Sequence, residues 1–199
     1  AAHALGRSFL LLLAADGKYG MNTDVDFYTL NYETLAVSPC AVYGESIGSS
    51  VGSDIRHGGG RTMKMDGDVL YFISTRFDSA GLYKLENGVV YPVTERGGSV
   101  DCFDRCGGEM LLCALWDMRA QELYDETGAR ITHFNDAALR GKYVARPETL
   151  TFTAEDHEVH GFVLKPMNFE PGEKYPVILD VHGGPKTVYG PVFYHEMQY

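Results

Sequence analysis

Residues 66–93 read DGDVLYFISTRFDSAGLYKLENGVVYPV. Val69 to Ser74 is a β-rich run opened by the turn residues Asp66-Gly67-Asp68, and Gly81 to Leu85 is a second such run. Asn87-Gly88 separates it from Val89–Val93, and Asn-Gly between apolar runs is the strongest short-range hairpin signal. Pro92 lacks an N–H for the ladder, which puts this last strand at an edge or near its end. The pattern returns in residues 107–134, GGEMLLCALWDMRAQELYDETGARITHF, with strands expected at Met110–Leu115, Glu122–Asp125 and Arg130–Phe134. Leu70 and Leu111, Leu82 and Leu123, Tyr83 and Tyr124, and Val90 and Ile131 are each 41 residues apart. A looser copy precedes them in Phe9–Ala14 and Asp26–Leu30, where Tyr28 stands 55 residues before Tyr83. A period near 40 built from four short strands is that of a β-propeller blade, which buries both faces only by stacking on its neighbours.

The character changes after Asn135-Asp136. Thr149–Phe152 and Val159–Leu164 read as two strands about a turn at Glu155-Asp156-His157. Val177–Val181 (VILDV) is a near-continuous apolar run, which suits a strand buried on both faces of a mixed or parallel sheet. Phe193–Tyr199 has a helical pattern with no stop signal. The expected fold class is therefore mainly β. Residues 1–145 form a partial propeller of about three blades, and an α/β unit of residues 146–199 follows.

Composition narrows the function classes. The 17 Lys+Arg against 27 Asp+Glu give a formal charge of −10, which argues against nucleic acid or an anionic membrane as partner. Apolar residues at 45% and charged residues at 22% are those of a folded chain. Phe9–Ala15, preceded by Arg7, is at the short limit of a secretory core and reads instead as a buried strand ending in Asp16-Gly17. Cys102 and Cys106 are spaced C-x3-C with no histidine at finger spacing, so free thiols, no metal and a reducing, cytoplasmic setting are expected.

One motif carries chemistry. His182-Gly183-Gly184-Pro185 closes the VILDV run. Acyl transfer builds negative charge on a carbonyl oxygen, and glycines let backbone N–H groups approach it. An H-G-G loop after an early strand supplies such a donor in α/β-hydrolases. Read alone, the same residues are a glycine-rich strand-to-helix turn.

The stretch from Arg146 to Tyr199 resembles the opening of the catalytic domain in the prolyl oligopeptidase family of serine peptidases, in its acylaminoacyl-peptidase and dipeptidyl-peptidase branches. The resemblance rests on Pro147-Glu148, HGFVLKP (His160–Pro166), EPGEKYPVILDVHGGP (Glu170–Pro185), Tyr189-Gly190-Pro191 and Phe193. It implies a propeller ahead of an α/β-hydrolase domain, in agreement with the repeat, and the first strands of that domain in residues 146–199. It implies hydrolysis of oligopeptides through an acyl-enzyme, with no cofactor. His182, Gly183 and Gly184 carry over as the oxyanion loop, with the Gly184 N–H as donor. The family's Ser, Asp and His follow this loop in chain order, so the triad is expected outside a sequence cut at both ends. Tyr189 and Phe193 are candidates to line a substrate pocket, against a plain packing role. A homo-oligomer is compatible with all of this.

Two decoys are set aside. Gly44-Glu45-Ser46-Ile47-Gly48 matches G-x-S-x-G, yet no helix follows and it precedes the H-G-G loop, so Ser46 is expected in a blade loop. His57-Gly58-Gly59-Gly60 has only Asp54-Ile55-Arg56 before it, too short for a buried strand, and reads as a blade turn. Trp116-Asp117 lacks the rest of a WD signature. Two other function classes stay open: a non-catalytic propeller that binds a protein partner, and an esterase-type α/β-hydrolase with an added β domain.

Overall fold

A computed structural model describes residues 2–6, 8–20, 23–184 and 186–199; Arg7 and Pro185 lie outside the described residues. The first antiparallel meander runs β1 (Ala2–Leu5), β2 (Phe9–Ala14), β3 (Val25–Asn31) and β4 (Val37–Ile47), paired in chain order. The FLLLLA run is thus a strand, β2, with Leu11 buried. Asn31 Oδ1 closes the β3–β4 turn by accepting from the N–H groups of Glu33 and Thr34, both at 2.9 Å. The second meander is β5 (Met63–Asp66), β6 (Val69–Arg76), β7 (Ser79–Glu86) and β8 (Val89–Pro92). Asn87 and Gly88 take φ of 52° and 76°, the left-handed pair that a tight hairpin requires. The third is β9 (Ser99–Cys106), β10 (Glu109–Leu115) and β11 (Glu122–Asp125). Short bridges join them into one open path: Ser46 and Ile47 of β4 pair with Thr75 and Ser74, and Ala80 pairs with Ser99.

The middle meander is covered on both sides. Leu70, Phe72, Tyr83 and Leu85 pack with Leu11 and Phe27 of the first meander. Ile73 and Leu82, on the opposite face, pack with Val100, Leu112, Trp116 and Tyr124 of the third. This explains why VLYFIS is apolar without alternation: stacking leaves its strand no solvent face.

The expected offset of 41 holds for Leu82 with Leu123 and for Tyr83 with Tyr124, but not for the strands before and after them. Phe72 faces Tyr83 and Leu112 faces Tyr124, so Leu70 corresponds to Met110, 40 residues on, and not to Leu111. Leu111 lies 40% exposed, while Met110 is buried like Leu70. The path from Leu112 to Tyr124 is one residue longer than that from Phe72 to Tyr83, and Asp117 and Met118 in the connection take left-handed conformation, each with φ of 57°. At the far edge the equivalence falls to 38. Leu82 N–H donates to Thr94 Oγ1 and Leu123 N–H donates to Thr132 Oγ1, both at 2.9 Å. The strand expected at Arg130–Phe134 is reduced to one bridge, Arg130 with Tyr124. Buried Glu122 instead draws residues 132–135 into a turn by accepting from Thr132 Oγ1 and from the N–H groups of Phe134 and Asn135.

A short helix, α1 (Asp136–Leu139), leads to a separate hairpin, β12 (Glu148–Ala154) and β13 (His157–Val163), turned at Glu155 with φ of 54°. Val177–Val181 does not form the expected strand. No described residue pairs with it, and Val177, Ile178, Leu179 and Val181 are 88%, 94%, 85% and 74% exposed. An apolar run becomes a buried strand only when sheet neighbours cover it, and here none does. The helical pattern at Phe193–Tyr199 yields one 3-10 turn, Glu196–Gln198. Among the described residues no helix is long and apolar enough to cross a membrane.

Candidate oxyanion loop and its anchor

The glycine loop is exposed. Gly184 has φ of +144°, and a Cβ there would stand 2.9 Å from both Lys186 N and Thr187 N, so only glycine makes this turn without displacing its own chain. Nothing lies within 4 Å of a Cβ built at Gly183, which leaves its backbone open to approach. His182 Nδ1 lies 3.1 Å from the Gly183 carbonyl, so a proton on Nδ1 donates to that oxygen.

Tyr189 gathers the loop. Its hydroxyl donates to Asp180 Oδ2 at 3.0 Å. Burial pushes its pKa up to about 12, and the Asp180 carboxylate adds to the rise. The phenol therefore stays protonated and remains a donor near neutrality. The His182 ring meets the Tyr189 ring edge-on at 5.6 Å, and Tyr194 meets it on another side at 6.0 Å. Of the residues expected at the site, His182, Gly183, Gly184 and Tyr189 are thus neighbours. Phe193 is turned into the core at 6% exposure.

The segment after the loop is sewn to the connection between β4 and β5. Val188 forms a parallel bridge with Val51: Gly52 N–H donates to the Val188 carbonyl at 2.8 Å, and Val188 N–H donates to the Ser50 carbonyl at 3.0 Å. Ser53 Oγ donates to the Phe193 carbonyl at 2.9 Å. Asp54 accepts from the N–H groups of His195 and Glu196, each at 2.7 Å, which caps the final 3-10 turn. Lys186 Nζ pairs with Asp24 Oδ1 at 2.5 Å. Sequence reading passed over residues 50–54 because their partners lie about 140 positions away and no periodicity links them.

The two decoys have structural places. Ser46 stands inside β4, opposite Thr75, and not in the expected loop; its carbonyl accepts from Ser74 Oγ at 2.7 Å. A strand interior cannot present a nucleophile on a sharp turn. His57 lies in a loop, its N–H donating to Gln121 Oε1 at 2.8 Å.

No family model matches the chain. It is 30% identical over 141 residues, 67% of its length, to the uncharacterized peptidase YuxL of Bacillus subtilis (strain 168). The acylaminoacyl peptidase of Pyrococcus horikoshii superposes on 96% of the chain with a TM-score of 0.70 at 25% identity. The chain is thus similar to peptidases of the acylaminoacyl-peptidase type. An acylaminoacyl peptidase in complex with Z-Gly-Gly-Phe-chloromethyl ketone shares the fold over the whole chain, with a TM-score of 0.62 at 21% identity. The likeness to the propeller domain of the acylaminoacyl peptidase fits the mainly β, stacked meanders. The chain spans 22% of the Bacillus relative's length, and 28% and 37% of the two solved chains.

Proposed function

We propose that this chain is part of a serine peptidase that hydrolyses short peptides through an acyl-enzyme. In this reading residues 1–145 are propeller blades that restrict access, and residues 146–199 open the hydrolase domain. The Gly184 N–H meets the oxygen of the tetrahedral intermediate, and Gly183 and His182 shape the loop. The nucleophile, its histidine and the acid are supplied outside these 199 residues. Tyr189 borders the loop and so the acyl group. The four free thiols suit a reducing cytoplasm.

The observation that carries the reading is the Gly184 turn: an exposed H-G-G loop with a glycine-only conformation, in a chain 30% identical to a peptidase. A partner-binding propeller gives no reason for such a loop. The test is made on the full-length protein. A fluorophosphonate should label one serine stoichiometrically, and short peptides should be cleaved. Because a Cβ at 184 has no room, Gly184→Ala displaces the donor and should lower kcat by about 10²–10³ with KM changed far less. Labelling of Ser46, or full kcat in a folded Gly184→Ala protein, would overturn the assignment.

A further inference from the structure

We infer that Asp54 is a positioning residue for the oxyanion loop, holding it through the segment that follows it; this rests on the peptidase reading above. The carboxylate sits on the connection between the first two meanders, 141 and 142 residues before the two amides it caps. Between the glycine turn and those amides the chain has little slack. Val188 is fixed by its pair of backbone bonds to Ser50 and Gly52, four residues after Gly184. Val192 is buried in the cluster that holds Val51, Ile73 and Leu82. Gly190 lies so close to the β6–β7 turn that a Cβ there would come within 2.0 Å of the Asp78 carbonyl. Both ends of residues 188–196 are therefore tied to the meanders. Asp54 forms the far tie, and the glycine turn projects from the near one.

A carboxylate suits the position for a physical reason. Two N–H groups converge on it, one on each oxygen, and charge-assisted bonds to backbone donors are about twice as strong as neutral ones. Asparagine offers one acceptor oxygen and turns a donor toward the second amide. Alanine offers none and leaves both donors to solvent. The three side chains thus form a graded series in which the loop's attachment weakens while its own sequence stays intact.

The experiment reads attachment and chemistry separately. Amide hydrogen exchange on the full-length protein should show protection at His195 and Glu196 falling about tenfold in Asp54→Ala and less in Asp54→Asn, with β6 and β7 unchanged. In the full-length protein the same series should lower kcat in the same order, by about tenfold for alanine, with KM nearly constant, because the donor is misplaced and not removed. Unchanged protection at 195 and 196, or protection lost equally in β6 and β7, would overturn the inference. So would a loss of protection with kcat intact. A wild-type protein that cleaves no peptide would instead sink the peptidase reading, while the exchange result still decides whether Asp54 anchors the segment.

Discussion

Glu122→Gln is the most informative perturbation of the stacked meanders. Glu122 is 1% exposed. Its Oε2 accepts from Thr132 Oγ1 at 2.5 Å and Phe134 N at 3.1 Å; its Oε1 accepts from Asn135 N at 2.9 Å and Asn135 Nδ2 at 3.2 Å. A glutamine must place its NH2 on one side. Facing Asn135 it leaves the Asn135 N–H unpaired, while Asn135 Nδ2 keeps its bond to the Gln121 carbonyl. Facing Thr132 it takes the acceptor from both the Thr132 hydroxyl proton and the Phe134 N–H, so the first orientation wins. One unpaired buried donor plus the lost charge assistance in the remaining bonds costs about 2–4 kcal/mol. With a urea slope of about 2 kcal/mol/M the midpoint should fall by about 1–2 M. Trp116 reports the transition: it is the only tryptophan, buried with its ring centroid 4.6 Å from that of Tyr124. Titrations belong at low protein concentration. The pH dependence checks the cause. Burial raises the Glu122 pKa, but the bonds from Thr132, Asn135 and Phe134 outweigh it and hold the carboxyl below its ordinary 4.5. A depressed folded pKa stabilises above the unfolded value and is lost as pH falls through the folded one. The gap between wild type and Glu122→Gln should therefore be constant near pH 7 and close below about 4.5. Equal midpoints at pH 7, or a gap unchanged down to pH 3, would refute the argument.

Two further outcomes are expected. Burial, and then the neighbouring Cys102, push the Cys113 thiol up to about 12, so about 10⁻⁴ of it is thiolate at pH 8; Ellman's reagent should modify exposed Cys106 first and reach Cys113 only on unfolding. The uncovered run Val177–Val181 should drive self-association of this chain at micromolar concentration, and Ile178→Asp with Leu179→Lys should restore a monomer in light scattering. A monomeric wild-type chain would contradict the second.

What was legible in the sequence was what short-range chemistry fixes. Asn87-Gly88 and Gly107-Gly108 pin their hairpins locally, so the meanders could be read before any contact was known. The register was misread at the β10–β11 connection because Asp117 and Met118 reach positive φ without a glycine to announce it. Arg130–Phe134 has the composition of a strand, yet its conformation is set by Glu122, a residue outside the run. The glycines of the candidate oxyanion loop were visible because the turn itself demands them. Asp54 was not, since an aspartate in a polar connection carries no pattern until the fold brings its amides to it. VILDV shows the converse: apolarity states what a segment needs, and only neighbouring strands can meet that need.

The loop's position is thus inherited from the middle meander. Thr75 of β6 donates through Oγ1 to the Gly48 carbonyl and accepts there from Ser50 N–H, both at 2.8 Å. Ser50 in turn accepts from Val188, four residues past Gly184. Thr75 is buried in the strand covered on both faces, among the groups with least freedom in the chain. Two consecutive hydrogen bonds, Ser50 N–H to Thr75 Oγ1 and Val188 N–H to the Ser50 carbonyl, therefore connect the doubly covered strand to the segment that follows the exposed glycine turn. An exposed glycine turn cannot hold a donor within the few tenths of an ångström that oxyanion binding requires unless something rigid holds its flank. The VILDV run before it has no strand partner among the described residues. The constraint comes from the far side, through Ser50, Val188 and Asp54, which ties the blade-like repeat to the loop for which the oxyanion role is proposed.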